Sequence, residues 1–234
     1  MSSRFDQFWL LWLPAIILLS GTIWMRFDPG VDLGTAAAFF DQAQGTWKVR
    51  VGEGGWTVLK GVTDFLYDNG PRPALIVSVL ALIWTIYVGV KRRKLEREAL
   101  YLALVMIIGP GILVNAILKP MWGRPRPAEL EQFGKKEQYE RLWEYDPSSD
   151  GKSFPSGHAS TGFYFFALGF LCYRKRSRWT GIAFAGGIAF GLVMGSVRVI
   201  QGGHFVSDVL WAAGICWFTA AFLAPIVPRG EPEA

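Results

Sequence analysis

Residues 99–118 read ALYLALVMIIGPGILVNAIL, twenty positions without a charge, followed at once by Lys119. At about 1.5 Å of rise per residue, such a stretch wound as a helix crosses the roughly 30 Å of hydrocarbon in a bilayer. Further apolar runs lie at 8–25, 74–90, 159–173, 179–197 and 206–227. A large soluble core can bury one helix of this kind, but a chain of 234 residues cannot surround six. The expected fold is therefore all-α: a six-transmembrane-helix bundle forming one membrane-embedded domain. Composition points the same way, with 51% hydrophobic residues, 11 tryptophans and 18% charged residues, against about 25% charged in soluble domains. The first run exceeds the core of a signal peptide and no small-x-small cleavage site follows it, so it is read as a helix that stays in place.

The charges sort by loop. Lys91, Arg92, Arg93, Lys94 and Arg97 separate the second and third runs, and Arg174, Lys175, Arg176 and Arg178 the fourth and fifth. Short basic loops stay cytoplasmic, which puts both termini inside as well. The outer face then receives 26–73, 119–156 and 198–205. Within the first of these, Trp56 to Tyr67 spaces its apolar residues as an amphipathic helix lying at the interface. A net charge of +5 can signal a nucleic-acid partner, but cations held in short membrane-adjacent loops do not make such a surface. Two histidines and two cysteines exclude a disulfide scaffold and a four-ligand Cys/His zinc cage. Cys172 and Cys216 fall inside apolar runs and read as packing. Ala183, Gly187, Gly191 and Gly195 form a small-residue stripe that admits a neighbouring helix.

Helix parity brings the chemistry-bearing residues to the outer face. The second outer segment opens with Lys119-Pro-Met-Trp-Gly-Arg124-Pro-Arg126-Pro127 and closes with Phe154-Pro155-Ser156-Gly157-His158. The third runs from Ser196-Val-Arg198 to Gly-Gly-His204-Phe-Val-Ser-Asp208, so both histidines of the chain lie on this face. Lys119 alone reads as a residue snorkelling to the interface. A residue before proline leaves helical geometry, so Lys119 is expected to end its helix and Arg124 and Arg126 to ride on a stiff extended segment. Guanidinium forks held that way match phosphate oxygens. Ser156 is placed to cap the next helix, with Gly157 allowing close approach to its free amides. His204 and Asp208 stand four apart, where the carboxylate can orient the ring and leave its other nitrogen as nucleophile or base.

These three motifs, in this order and spacing, resemble the signatures of the type 2 phosphatidic acid phosphatase family, over roughly residues 100–225. One position departs: Val197 stands where the family has serine before the arginine, and Ser196 lies one residue earlier. The resemblance implies that His204 attacks phosphorus and becomes a phosphohistidine, and that Asp208 holds its ring. It further implies that His158 serves as acid and then base, and that Lys119, Arg126, Ser156, Gly157 and Arg198 bind the phosphate oxygens. Arg124 is not a signature position and is assigned to a second phosphate or a headgroup. The family needs no metal or other cofactor. Its soluble relatives include vanadium haloperoxidases, but six spans point to the integral-membrane lipid phosphatases.

The implied partner is a phosphorylated membrane lipid, with tails in the bilayer and phosphate at the outer, periplasmic surface of the inner membrane. Lipid A, undecaprenyl pyrophosphate, phosphatidylglycerol phosphate and phosphatidic acid all fit. The stretch Gly-Arg-Pro-Arg-Pro with Phe133-Gly134 tilts the reading toward lipid A, and the charged loop Ala128 to Phe154 is available to a large headgroup. Two other classes are kept: a phosphotransferase using the same residues with a lipid acceptor, and a non-enzymatic transporter or scaffold.

Overall fold

The structure, a computed structural model, describes residues 8–230. The termini assigned to the cytoplasm, 1–7 and 231–234, lie outside the described residues. After an opening turn, α1 (Leu13–Phe27) is followed by α2 (Gly30–Ala38), a small hairpin of β1 (Phe40–Asp41) and β2 (Thr46–Trp47), and α3 (Trp56–Asn69). Then come α4 (Arg72–Arg92) and α5 (Arg97–Trp122), a long irregular loop, α6 (Gly157–Phe163), α7 (Phe166–Arg174), α8 (Thr180–Ile200) and α9 (Val206–Leu223).

All six apolar runs are helical, but among the described residues five helices are long and apolar enough to cross a membrane. The exception is the fourth run, which breaks at Tyr164 and Phe165 into α6 and α7. Its side chains explain why it needs no lipid-facing stripe. Ala159, Phe163, Tyr164, Ala167 and Phe170 are buried in one cluster with Tyr101, Val105, Val209, Ala212 and Cys216. The α6–α7 segment is thus the central post of the bundle, with α5, α8 and α9 packed around it. Close approach to α8 runs along the expected glycine stripe, since a Cβ on Gly191 would strike the Phe163 ring.

Proline shapes α5. Pro110, between Gly109 and Gly111, lacks an N–H, and residues Ile107–Leu118 wind as a wider π-type helix. The amide of Asn115 donates to the Pro110 carbonyl at 2.6 Å. This widened winding also corrects one expectation, since Lys119 does not end the helix. Pro120 falls where wide winding gives way to ordinary turns, so its missing N–H is tolerated. The helix runs on to Trp122 and stops at Gly123, at φ 78°. Beyond it, Arg124 to Arg126 take no regular secondary structure, and Arg126 is extended at φ −81° and ψ 155°.

The bundle has two chemically distinct ends. At one, Lys175 pairs with Glu98, Arg174 donates to the Val227 carbonyl at 2.9 Å, and Gly230 N–H donates to the Arg174 carbonyl. Both basic loops and the tail therefore gather together. At the other end, Ala36, Phe40, Trp47, Leu130, Phe133 and Phe205 form a second buried cluster. It fastens α2 and the β1–β2 hairpin to the long loop and to the start of α9, directly beside His204. A polar hollow of about 700 Å³ lies between 128–137 and 146–151 in that loop.

Candidate active site

Each of the three motifs arrives on a different piece of backbone. Lys119 rides near the end of α5, Ser156, Gly157 and His158 open α6, and Arg198 ends α8. His204 lies in the short turn before α9, four residues ahead of Asp208. The cations converge closely enough that Lys119, Arg126 and Arg198 repel one another. Arg198 Nη1 donates to Gln201 Oε1 at 2.6 Å, while the buried Nε atoms of Arg126 and Arg198 have no protein partner. Buried donors left open by the protein suit an anion with several acceptor oxygens. Gly157 keeps the space: a Cβ there would lie 2.8 Å from Asn115 Oδ1 and 3.1 Å from Lys119 Nζ. Ser156 Oγ accepts from the Ala159 N–H at 3.4 Å, the cap that its position predicted.

The geometry of His204 differs from the expected histidine–aspartate pair. Its Nδ1 faces the Ser153 carbonyl at 2.6 Å and stands 3.6 Å from Asp208 Oδ2, too far for a hydrogen bond. A carbonyl can only accept, so Nδ1 carries the proton and Nε2 keeps a free lone pair. Asp208 acts one step away. It accepts from Ser153 Oγ at 2.5 Å, from the Phe205 N–H at 2.8 Å and from Arg124 Nη1 at 2.7 Å. The carboxylate therefore holds Ser153, and Ser153 holds the ring. Burial pushes the His204 imidazole down to about 4, with Asp208 opposing that shift and Arg198 and Lys119 adding to it. The ring is consequently neutral, as a nucleophile must be, across the physiological range.

Arg124 requires a correction. The expected role at a second phosphate or a headgroup does not fit a side chain that is fully buried. Nη2 meets Asp32 Oδ2 at 2.9 Å, Nη1 meets both Asp208 and Ser207 Oγ at 2.7 Å, and Nε donates to the Glu140 carbonyl at 3.0 Å. Phe205 lies under the guanidinium at 4.3 Å. Flanked by two buried carboxylates, the side chain is consumed by protein partners and cannot reach a lipid.

The knot also contains residues that no motif marked. Asp32, on α2, accepts from the Ser207 N–H at 3.0 Å and from Ser207 Oγ at 2.6 Å in addition to Arg124. Ser153 contributes mainly through its carbonyl, which any residue type would supply, so no sequence signal pointed to it. Arg50 donates to the Gln201 carbonyl at 3.0 Å and feels the charge of Arg126. Tyr67, near the end of α3, stacks on His158 with ring centroids 4.6 Å apart. As for the departed serine, Ser196 is exposed while Val197 is buried, one helical step round α8. Ser196 lines an apolar hollow with Thr35, Phe39, Val199 and Val206, so the shift by one residue does not restore the hydroxyl to the anion site. Among the described residues, no three His, Cys, Asp or Glu side chains group to hold a metal ion.

Comparison with known proteins supplies a family. Residues 98–231 match the family model described as PAP2 superfamily. A lipid A 4'-phosphatase of Francisella tularensis subsp. novicida is 28% identical over 85% of this chain and 87% of its own length. A lipid A 4'-phosphatase of Rhizobium leguminosarum is 27% identical over 91% of the chain and 92% of its own length. A lipid A 1-phosphatase of Rhizobium johnstonii is 30% identical over 75% of each. No solved structure matches the chain. Because the family match runs over more than half of the sequence and takes in both histidines, the chain belongs to the PAP2 superfamily and is a phosphatase of the membrane.

Proposed function

We propose that this protein hydrolyses the 4'-phosphomonoester of lipid A on the periplasmic side of the inner membrane, through a phosphohistidine at His204. The observation that carries the mechanism is the commitment of His204 Nδ1 to the Ser153 carbonyl, which leaves Nε2 as the free nitrogen beside three converging cations. In the first step the Nε2 lone pair forms a bond to phosphorus as the bond to the leaving oxygen breaks, and His158 gives that oxygen its proton. In the second, His158 takes a proton from water and the resulting oxygen attacks phosphorus. The P–N bond breaks, its electrons return to His204, and inorganic phosphate departs. Lys119, Arg126 and Arg198 hold the three non-bridging oxygens and stabilise the charge that spreads over them in each transition state. The opening of α6 at Ser156 and Gly157 adds main-chain amides to the same anion. The route uses no metal, and activity is expected to survive EDTA.

The placement of charge supports a six-span topology, with α6 and α7 together forming the fourth crossing. Both basic loops share one end of the bundle, and the site lies at the other end, beyond the arginine-terminated helix α8. Lipid A is favoured because the relatives that align with more than four-fifths of the chain carry the 4' name. The test is phosphate release by detergent-purified protein from lipid A, undecaprenyl pyrophosphate, phosphatidylglycerol phosphate and phosphatidic acid, with no acceptor lipid added. Release greatest from lipid A, with the 1-phosphate retained, is the expected result. Release that requires an acceptor would identify a phosphotransferase instead. His204→Ala should lower the rate by about 10⁴-fold or more, the size seen when a nucleophile is removed.

A further inference from the structure

The interfacial helix α3 lies outside the matched stretch, carries no motif, and yet ends against the reacting groups. Its residue Tyr67 is 40% exposed, so it is no core residue held by burial alone. Its ring lies nearly parallel to the His158 imidazole, 15° between planes and 4.6 Å between centroids. The same ring takes the Arg198 guanidinium over it at 4.6 Å.

We propose that Tyr67 is a positioning residue for phosphoryl transfer, aligning the proton-donating histidine and a phosphate-binding arginine from the outer interfacial helix. This rests on the phosphohistidine reading above. His158 works only while one ring nitrogen points at the leaving oxygen, and an imidazole on a single side chain can turn about two bonds. The other groups facing it, Lys119, Arg198 and His204, are cationic or neutral nitrogen bases that act on its charge rather than on its plane. The aromatic ring fixes the plane by stacking, and its π face attracts Arg198, so one side chain sets both partners at once. Small misplacements of a proton donor are costly in rate, which makes such a contact consequential although it never touches phosphorus.

A positioning role has a signature that simple destabilisation lacks. An alkyl leaving group needs the proton from His158, whereas p-nitrophenolate leaves readily without it. In kcat/KM, which reports the steps up to the phosphoenzyme, Tyr67→Leu should cost about 30-fold with an alkyl phosphate and only about 3-fold with p-nitrophenyl phosphate. Tyr67→Phe keeps the stack and should stay within about twofold of the parent with both. Should the leucine variant not purify as a monodisperse protein in detergent, Tyr67→Met is read in the same way. Equal losses with both substrates, no loss with either, or a phenylalanine variant as impaired as the leucine one would overturn the proposal. His204→Ala separates this from the underlying reading: retained activity there sinks the phosphohistidine, whereas a dead His204→Ala beside an indifferent Tyr67→Leu sinks only the role of Tyr67.

Discussion

Two regions of this chain meet around the same anion site and contribute differently to it. Residues 119–208 bring the groups assigned to phosphorus: Lys119, Arg126, His158, Arg198 and His204. Residues 32–67 bring none of these, but Asp32, Arg50 and Tyr67 brace the first region, through an ion pair with Arg124, a bond to Gln201 and a stack on His158. The first region is organised by chemistry, so its residue types and spacings are constrained and can be read in order. The second is organised by shape. It has to cover the far side of the site, and which of its side chains reach inward depends on how α2 and α3 settle on the bundle. The family model covers the first region and stops short of the second.

Arg124 and Arg126 sharpen this contrast, because they sit two residues apart in one extended stretch and have opposite fates. Arg126 leaves a buried Nε without a protein partner. Replacing it by alanine should lower kcat/KM by about 10²- to 10³-fold, the loss expected for one donor to a developing oxyanion, with the unfolding temperature in detergent nearly unchanged. An unfolding temperature that falls with the activity would mean that Arg126 is structural too. Asp32 predicts the reverse pattern. Asp32→Ala leaves Arg124 with one of its two buried carboxylates and strips the acceptor from Ser207, which should cost about 3–5 kcal/mol of stability. Asp32→Asn keeps the shape and should cost less. Activity of the alanine variant should fall through loss of folded protein, and a fully stable Asp32→Ala would show that the outer segment does not brace the site.

How much of this was legible in the sequence follows the same division. Six apolar runs announced the bundle, because a bilayer demands length and hydropathy that nothing else in a 234-residue chain explains. The break at Tyr164 and Phe165 was not legible, since a helix wrapped by other helices needs no continuous lipid-facing stripe. Helix parity placed both histidines, Lys119, Arg126 and Arg198 at one end of the bundle, whereas their roles came from the family resemblance. Within Gly-Arg-Pro-Arg-Pro the resemblance marks the second arginine and not the first, but nothing there says that the first is buried. That depends on the arrival of Asp32 from 92 residues away. Ser153 was invisible for a different reason, because its decisive atom is a backbone carbonyl. The four-residue spacing of His204 and Asp208 did bring them together, but with a serine interposed.

Two smaller effects refine the comparison further. The neutral form of His204 is the reactive one, so its part in the rate is lost as pH falls through its folded value, whereas loss as pH rises belongs to His158, which must carry a proton to act as the acid. With that value held at about 4, kcat/KM corrected for ionisation of the substrate phosphate should show no acid-side loss between pH 7 and pH 5 and should turn down only near pH 4. A downturn near the ordinary imidazole value of about 6.5 would mean that the site around His204 is wet. Smallest of all, Ser196→Ala should leave phosphate release within about twofold, since surface changes away from a site have little effect. A larger loss would mean that α8 turns to present Ser196 to the substrate.

The most direct test is a rapid quench of the protein with lipid A carrying radioactive 4'-phosphate, followed by peptide mapping of the labelled chain. A phosphohistidine is stable in alkali and labile in acid, so the account predicts alkali-stable label on the peptide containing His204, absent from His204→Ala. Label on another residue, or full turnover with no protein-bound phosphate at any quench time, would contradict it.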